Sequence, residues 1–156
     1  MNHKIVFKEI TADNLRDVIK LSDTLHENQK KAVATNAASI AQAHYSKNAW
    51  FRAIYHGSEP VGFIMLNYSP VEKYKDTKHT FLWRFMIGGK HQKNGYGKAA
   101  LELLVEKLRN EKCEKLVTSV DEEFGPLEFY KKIGFVDTGE YIDGDERVLI
   151  LDLLKQ

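Results

Sequence analysis

The stretch Arg84-Phe85-Met86-Ile87-Gly88-Gly89-Lys90-His91-Gln92-Lys93-Asn94-Gly95-Tyr96-Gly97-Lys98 runs from apolar residues into glycines, amides and lysines, and a helix-like pattern follows. Glycine permits positive φ and lets a backbone come close to a ligand. The first turn of a helix leaves N–H groups unpaired and carries partial positive charge. Together these features suit a phosphate or pyrophosphate. Lys90, Lys93 and Lys98 add positive charge nearby. An ordinary strand-to-helix connection could also use such glycines.

Three anion-binding patterns compete for this turn. A P-loop needs G-x-x-x-x-G-K-[ST]. Gly97-Lys98 supplies G-K, but Gln92 stands at the first glycine and Ala99 at the hydroxyl position, so nothing is placed to hold Mg²⁺. The dinucleotide fingerprint G-x-G-x-x-G/A fits Gly95 to Ala100 literally, and Asp121 follows the next strand. Its place in the chain argues against it, because only about sixty residues remain and they read β-α-β-β rather than repeated βα units. The third pattern, Q/R-x-x-G-x-G/A, is met by Gln92-Lys93-Asn94-Gly95-Tyr96-Gly97.

The elements that must position this turn are legible from periodicity. Ile5 to Ile10 alternates as a strand, and Thr11 or Asp13 could cap a helix carrying Leu15, Val18, Ile19 and Leu25. The alanine-rich stretch Ala32 to Tyr45 predicts a helix. Trp50 to Tyr55 and Val61 to Tyr68 flank a turn and predict a hairpin. Thr80 to Ile87 is an apolar strand, and Gly95 to Glu111 is an amphipathic helix. A short strand, Leu116 to Val120, precedes a short helix, Gly125 to Ile133. Phe135 to Tyr141 and Arg147 to Leu153 close the chain as a second hairpin, with Asp143-Gly144-Asp145-Glu146 as its turn. The order β-αα-ββ-β-α-β-α-ββ predicts an α/β (α+β) class: one domain over residues 1–156, a mixed central sheet flanked by helices.

Bulk properties exclude several functions. The chain has 156 residues, 43% hydrophobic and 29% charged, with net charge +1. No global field selects nucleic acid, and no basic face interleaves aromatics. No apolar run reaches membrane-helix length, and MNHKIVFKEI lacks a signal-peptide apolar region, so the expected setting is cytoplasmic, without membrane or nucleic-acid partners. Cys113, the single cysteine, is expected to pack rather than react. The six histidines, His3, His26, His44, His56, His79 and His91, show no metal-ligand spacing, so no metal is expected.

Taken with its flanks, the third pattern resembles the GNAT superfamily of acetyl-CoA-dependent N-acetyltransferases. Phe81 to Ile87 is similar to the family's central strand, whose backbone pairs with the pantetheine arm. Gly125-Pro126-Leu127-Glu128-Phe129-Tyr130-Lys131-Lys132-Ile133-Gly134-Phe135 is similar to its second motif, a helix carrying F-Y and ending in G-F. The resemblance implies acetyl-CoA (coenzyme A) as co-substrate, held by Phe85, Met86, Ile87, Gln92, Lys93, Asn94, Gly95, Tyr96, Gly97 and Lys98. It implies that Tyr130 is the catalytic general acid to the sulfur, and that a backbone N–H near Phe85 to Ile87 polarises the acetyl carbonyl. One departure is Glu123, which stands seven residues before Tyr130 where many members carry a cofactor-contacting Asn. Another is the central strand, which lacks the carboxylate that often serves as base. Glu27, His79 or a water chain are the candidates in its place.

Within the superfamily the chain looks most like bacterial spermine/spermidine acetyltransferases, over Val33 to Ala43, Pro60 to Leu66 and Leu82 to Ile87. The implied partner is a small-molecule amine. A polyamine site needs carboxylates for ammonium groups and an aromatic wall. Glu27, Trp83 and Glu122 are the expected substrate-binding residues, with Asp23, Asp121 and Glu123 as further acidic candidates. Another amine (a protein N-terminus, an amino acid or an aminoglycoside) and a non-catalytic acyl-CoA-binding module stay open. The family is often dimeric, and the C-terminal strands could form a homodimer edge.

Overall fold

The computed structural model describes residues 4–155; His3 lies outside them. Seven strands form one sheet in the order β1-β2-β3-β4-β5-β7-β6. They are β1 Ile5–Lys8, β2 Ala49–His56, β3 Glu59–Asn67, β4 His79–Ile87, β5 Lys115–Asp121, β6 Val136–Ile142 and β7 Glu146–Asp152. The helices are α1 Leu15–Asp23, α2 Glu27–Ala32, α3 Asn36–His44, α4 Tyr96–Asn110 and α5 Leu127–Ile133. β4 and β5 pair in parallel and every other pair is antiparallel. The mixed α/β sheet expected from the sequence is therefore present.

Each sheet face carries its own apolar layer. On one face Ala100, Leu101, Leu104 and Leu108 of α4 pack with Ile54, Ile64, Leu66, Leu82, Leu116 and Leu149. On the other, Val18 and Leu21 of α1 and Ile40 and Ala43 of α3 pack with Ala53, Phe63, Met65 and Met86. The α4 positions recur at helical spacing and the strand positions alternate, as two-sided burial requires.

The helical stretch expected at Ala32 to Tyr45 divides. α2 ends at Ala32, Val33 is extended, and Thr35 starts α3 by accepting the Ala38 N–H at 3.2 Å. A threonine cap and a β-branched neighbour override the alanine propensity. The first helix has Asn14, not Thr11 or Asp13, at its N-cap, and the Asn14 amide accepts from the Thr11 N–H at 2.8 Å. α5 starts at Leu127 rather than Gly125, because the Gly125 N–H bonds back to the Asp121 carbonyl at 2.9 Å.

One irregularity sets up the site. Met65 pairs with Arg84 and Leu66 with Leu82, so Trp83 is an extra residue in β4. Leu82, Phe85 and Ile87 consequently share the α4 face, while Trp83 and Met86 meet the α1–α3 layer. A bulge bends its strand and increases local twist. Beyond it β3 must lie close, and a Cβ on Gly62 would collide with the Met86 carbonyl. Gly62→Ala is expected to cost about 1–3 kcal/mol through overpacking. Urea unfolding of the two proteins checks this.

Candidate active site

β4 and β5 pair only from His79↔Lys115 to Leu82↔Thr118. Both strands continue, to Ile87 and Asp121, but apart. The wedge between them is a cavity of about 940 Å³. Its walls are the separated strand ends, the glycine turn, α5 and the β6–β7 turn.

The glycine turn reaches the cleft on the α4 face. After Ile87 the chain makes a 3₁₀ turn at Gly89–His91, and Lys93 and Gly95 take positive φ, 65° and 82°. The Gln92 side chain donates to the Ile87 carbonyl at 2.9 Å and exchanges hydrogen bonds with Gln29 of α2. Ala99 makes the first helical bond, to the Gly95 carbonyl at 3.1 Å, so the Gly97 and Lys98 N–H groups precede it. Gly97 sits against Phe129, and a Cβ there would lie 3.2 Å from that ring. Lys93 and Lys98 line the cleft beside these donors. The turn can hold an anionic phosphate group, and the β4 edge past Leu82 can accept an extended chain.

Tyr130 stands at the fork. It is 5% exposed and packed edge-on between Phe129 and Phe135, with ring centroids 5.4 and 5.1 Å away. Burial pushes its phenol well above the usual range, and a hydrogen bond with Thr118 only partly offsets that. A tyrosine hydroxyl already keeps its proton at physiological pH and burial holds it more firmly, so a proton stands available at the fork.

The opposite sheet face is acidic. Asp121, Asp143 and Glu146 all line the cleft, with Arg84, Trp83 and Gln42 across from them. Glu146 is half-buried and 3.3 Å from the Ser119 hydroxyl. Burial raises its carboxyl above the ordinary value; Asp121 and Asp143 add to the rise, while Ser119 and Arg84 oppose it. Burial lowers the Arg84 pKa. Its Nη2 donates to Gln42 at 3.1 Å, but its buried Nε has no partner among the described residues.

Of the residues singled out from the sequence, the cleft brings together Trp83, Phe85, Met86, Ile87, Gln92, Lys93, Gly95, Tyr96, Gly97, Lys98 and Tyr130. It does not include Glu27, Asn94 or Glu122 in its lining. Glu27 is exposed at the start of α2, 3.8 Å from Lys30. Asn94 turns its amide to the His91 and Gln92 carbonyls. Glu122 accepts from the Tyr141 hydroxyl at 2.7 Å and pairs with Arg147. His79 is occupied elsewhere: it accepts the Val71 N–H at 2.9 Å and faces the Thr77 carbonyl. Sequence reasoning assigned Asp143 and Glu146 to a turn and passed over Arg84, Thr118 and Ser119. The available signal was the antiparallel return of β7 along β5, which pairs Asp121 with Glu146.

The family model for "Acetyltransferase (GNAT) family" matches residues 15–135. The chain belongs to that family. Among curated proteins, the spermine/spermidine N(1)-acetyltransferase of Bacillus subtilis is 28% identical over 156 residues, covering 96% of this chain and 99% of that one. Among solved structures, the PaiA N-acetyltransferase of Thermoplasma acidophilum, in complex with coenzyme A, superposes with a TM-score of 0.66 at 16% identity, covering 96% and 99% of the two chains. A GNAT acetyltransferase of Elizabethkingia anophelis with acetyl-CoA bound gives 0.65 at 20% identity, covering 95% and 97%. In this GNAT chain no group of three or more His, Cys, Asp or Glu is placed to hold a metal, and no helix is long and apolar enough to cross a membrane, among the described residues.

The turn end of the cleft is braced by Arg147, which donates to both Asp137 oxygens, at 3.1 and 3.2 Å from Nε. That contact holds the Asp137 carboxyl below its ordinary value. The stabilisation is therefore present at neutral pH and lost as pH falls below the usual Asp range near about 4. Asp137→Asn is expected to be less stable than the parent at pH 7, with the gap narrowing toward pH 3. Thermal melts at the two pH values check it.

Proposed function

We propose that the protein transfers an acetyl group from acetyl-CoA to a primary amine of a small molecule, with polyamines such as spermine and spermidine the first substrates to try. One observation carries the reading. A single cleft has an anion cradle and a protonated phenol on one sheet face and three carboxylates on the other. The relative named for spermine and spermidine supports the finer choice.

The residues present fit coenzyme A. The Gly97 and Lys98 N–H groups, with Lys93 and Lys98, would hold its pyrophosphate, and the β4 backbone at Phe85 to Ile87 would hold the pantetheine arm. Bound acetyl-CoA supplies an activated thioester. A β4 N–H polarises its carbonyl. Tyr130 gives its proton to the departing sulfur. Asp121, Asp143 and Glu146 attract the cationic amine, and holding both reactants in one cleft makes the attack effectively intramolecular.

A second reading is favoured by Arg84. An amine that also carries a carboxylate, such as an amino acid, would set that carboxylate by the Arg84 guanidinium, which lines the cleft, while the acidic side chains take the ammonium.

A thiol-release assay with acetyl-CoA and a panel of spermine, spermidine, putrescine and amino acids separates these readings. Release that depends on a polyamine is expected. Release with amino acids alone would select the second reading. No release with any amine would favour a non-catalytic acyl-CoA binder if acetyl-CoA still raised the Tm. Tyr130→Phe is expected to lower kcat roughly 10²-fold with acetyl-CoA affinity little changed; an unchanged kcat would remove Tyr130 from the mechanism.

A further inference from the structure

Amine acetylation needs a proton acceptor, because an alkyl ammonium has no lone pair with which to attack. The central strand carries no carboxylate, and the two side chains suggested by the sequence, Glu27 and His79, lie outside the cleft. The cleft itself holds three carboxylates, and their surroundings differ. Asp121 is committed to its own loop, accepting the Glu123 and Phe124 N–H groups at 3.0 and 2.7 Å. Asp143 is exposed in the β6–β7 turn at φ 49°. Glu146 is half-buried, and its side-chain bond is to the Ser119 hydroxyl.

Consecutive strand residues point to opposite sheet faces. Thr118 meets Tyr130 on the α4 face, and Ser119 meets Glu146 on the other. The proton donor and this carboxylate are thus referred to neighbouring residues of β5, on either side of the wedge.

We propose that Glu146 is the general base that takes the proton from the amine substrate. The proposal rests on the transferase reading above. The ammonium passes one proton to the Glu146 carboxylate, and its nitrogen lone pair forms the bond to the acetyl carbon. The carbon–sulfur bond breaks, the electron pair leaves on sulfur, and Tyr130 protonates it. The nitrogen's second proton leaves to solvent, Tyr130 regains its proton from solvent, and Glu146 releases the one it took, so each turnover frees one net proton. The groups facing Glu146 tune it for this. Asp121 from β5, Asp143 from the turn and burial all favour the neutral acid, and Arg84 from β4 and Ser119 oppose them. A base shifted upward accepts an ammonium proton more readily than an ordinary carboxylate.

The test is the pH profile of kcat and kcat/KM for the polyamine that the wild type acetylates best. Glu146→Gln is expected to lower kcat roughly 10²-fold at pH 7. The deficit is expected to shrink as pH rises toward the amine's own pKa, where solvent removes the proton. Asp143→Asn serves as the contrast of opposite sign: it removes a charge that favours neutral Glu146, so the acid limb is expected to move to lower pH and KM for the amine to rise. Ser119→Ala keeps the carboxylate but removes a hydrogen bond to its charged form, so the acid limb is expected to move to higher pH. It also provides a reading if Glu146→Gln folds poorly, which its melting curve with acetyl-CoA would reveal. A Glu146→Gln protein with wild-type kcat and a raised KM would overturn the proposal and leave Glu146 an ammonium-binding group. So would a deficit equal at every pH, or a Ser119→Ala acid limb that stays in place. A wild type inactive on every amine would remove the transferase reading, and this proposal with it.

Discussion

The site depends on the point at which two parallel strands stop pairing. β4 and β5 are joined as far as Leu82 and Thr118 and then separate while both remain extended. A buried strand edge with no partner is costly, so such a wedge is stable only where other groups, solvent or a ligand can meet it. Here the Trp83 bulge turns β4 away, and the cleft takes the space. The bulge also exchanges the faces of the residues beyond it. Phe85 and Ile87 join the α4 layer, leaving Trp83 on the acidic side.

Burial then assigns opposite tasks to two oxygen acids. Loss of solvent favours the neutral form of both Tyr130 and Glu146. For a phenol that means holding more firmly a proton that it already keeps in the physiological range. For a carboxyl it means a greater readiness to take one. One cleft therefore contains a phenol that keeps its proton and a carboxyl shifted toward taking one. The like charges of Asp121 and Asp143 add to the shift, and with Glu146 they place negative charge on that face of the cleft.

The short helix α2 ties the wedge together. Gln29 reaches the loop after β4 through Gln92, and the Lys31 ammonium lies 4.8 Å from the Phe124 ring in the loop after β5. One helix thus contacts the loops that follow both separated strands. Its few residues contribute little helical stability of their own, so these side-chain contacts and the His26–Gln29 capping box carry its placement.

Local chemistry made much of this legible from the sequence. The strand-turn-helix at Ile87 to Lys98 follows from apolar alternation, glycine conformational freedom and the orphan donors of a helix start. The buried faces of α4 and the strands follow from periodicity. Tyr130 was visible through its motif, although the upward push on its phenol comes from its burial beside Phe129 and Phe135. Other features required the folded chain. Helix propensity could not show that Thr35 would start α3 and leave α2 separate, because a single capping hydrogen bond decided it. Glu122 looked as suitable as Asp121, yet alternation along the chain says nothing about which carboxylate a distant Arg147 and Tyr141 will occupy. Asp143 and Glu146 read as a surface turn until β7 paired with β5 and brought Glu146 opposite Asp121. The sequence alone determined which chemistry was available and, apart from the division between α2 and α3, which segments would be strands and helices. Tertiary structure decided which acids meet in one cleft, because strand register and burial arise from contacts between residues far apart in the chain.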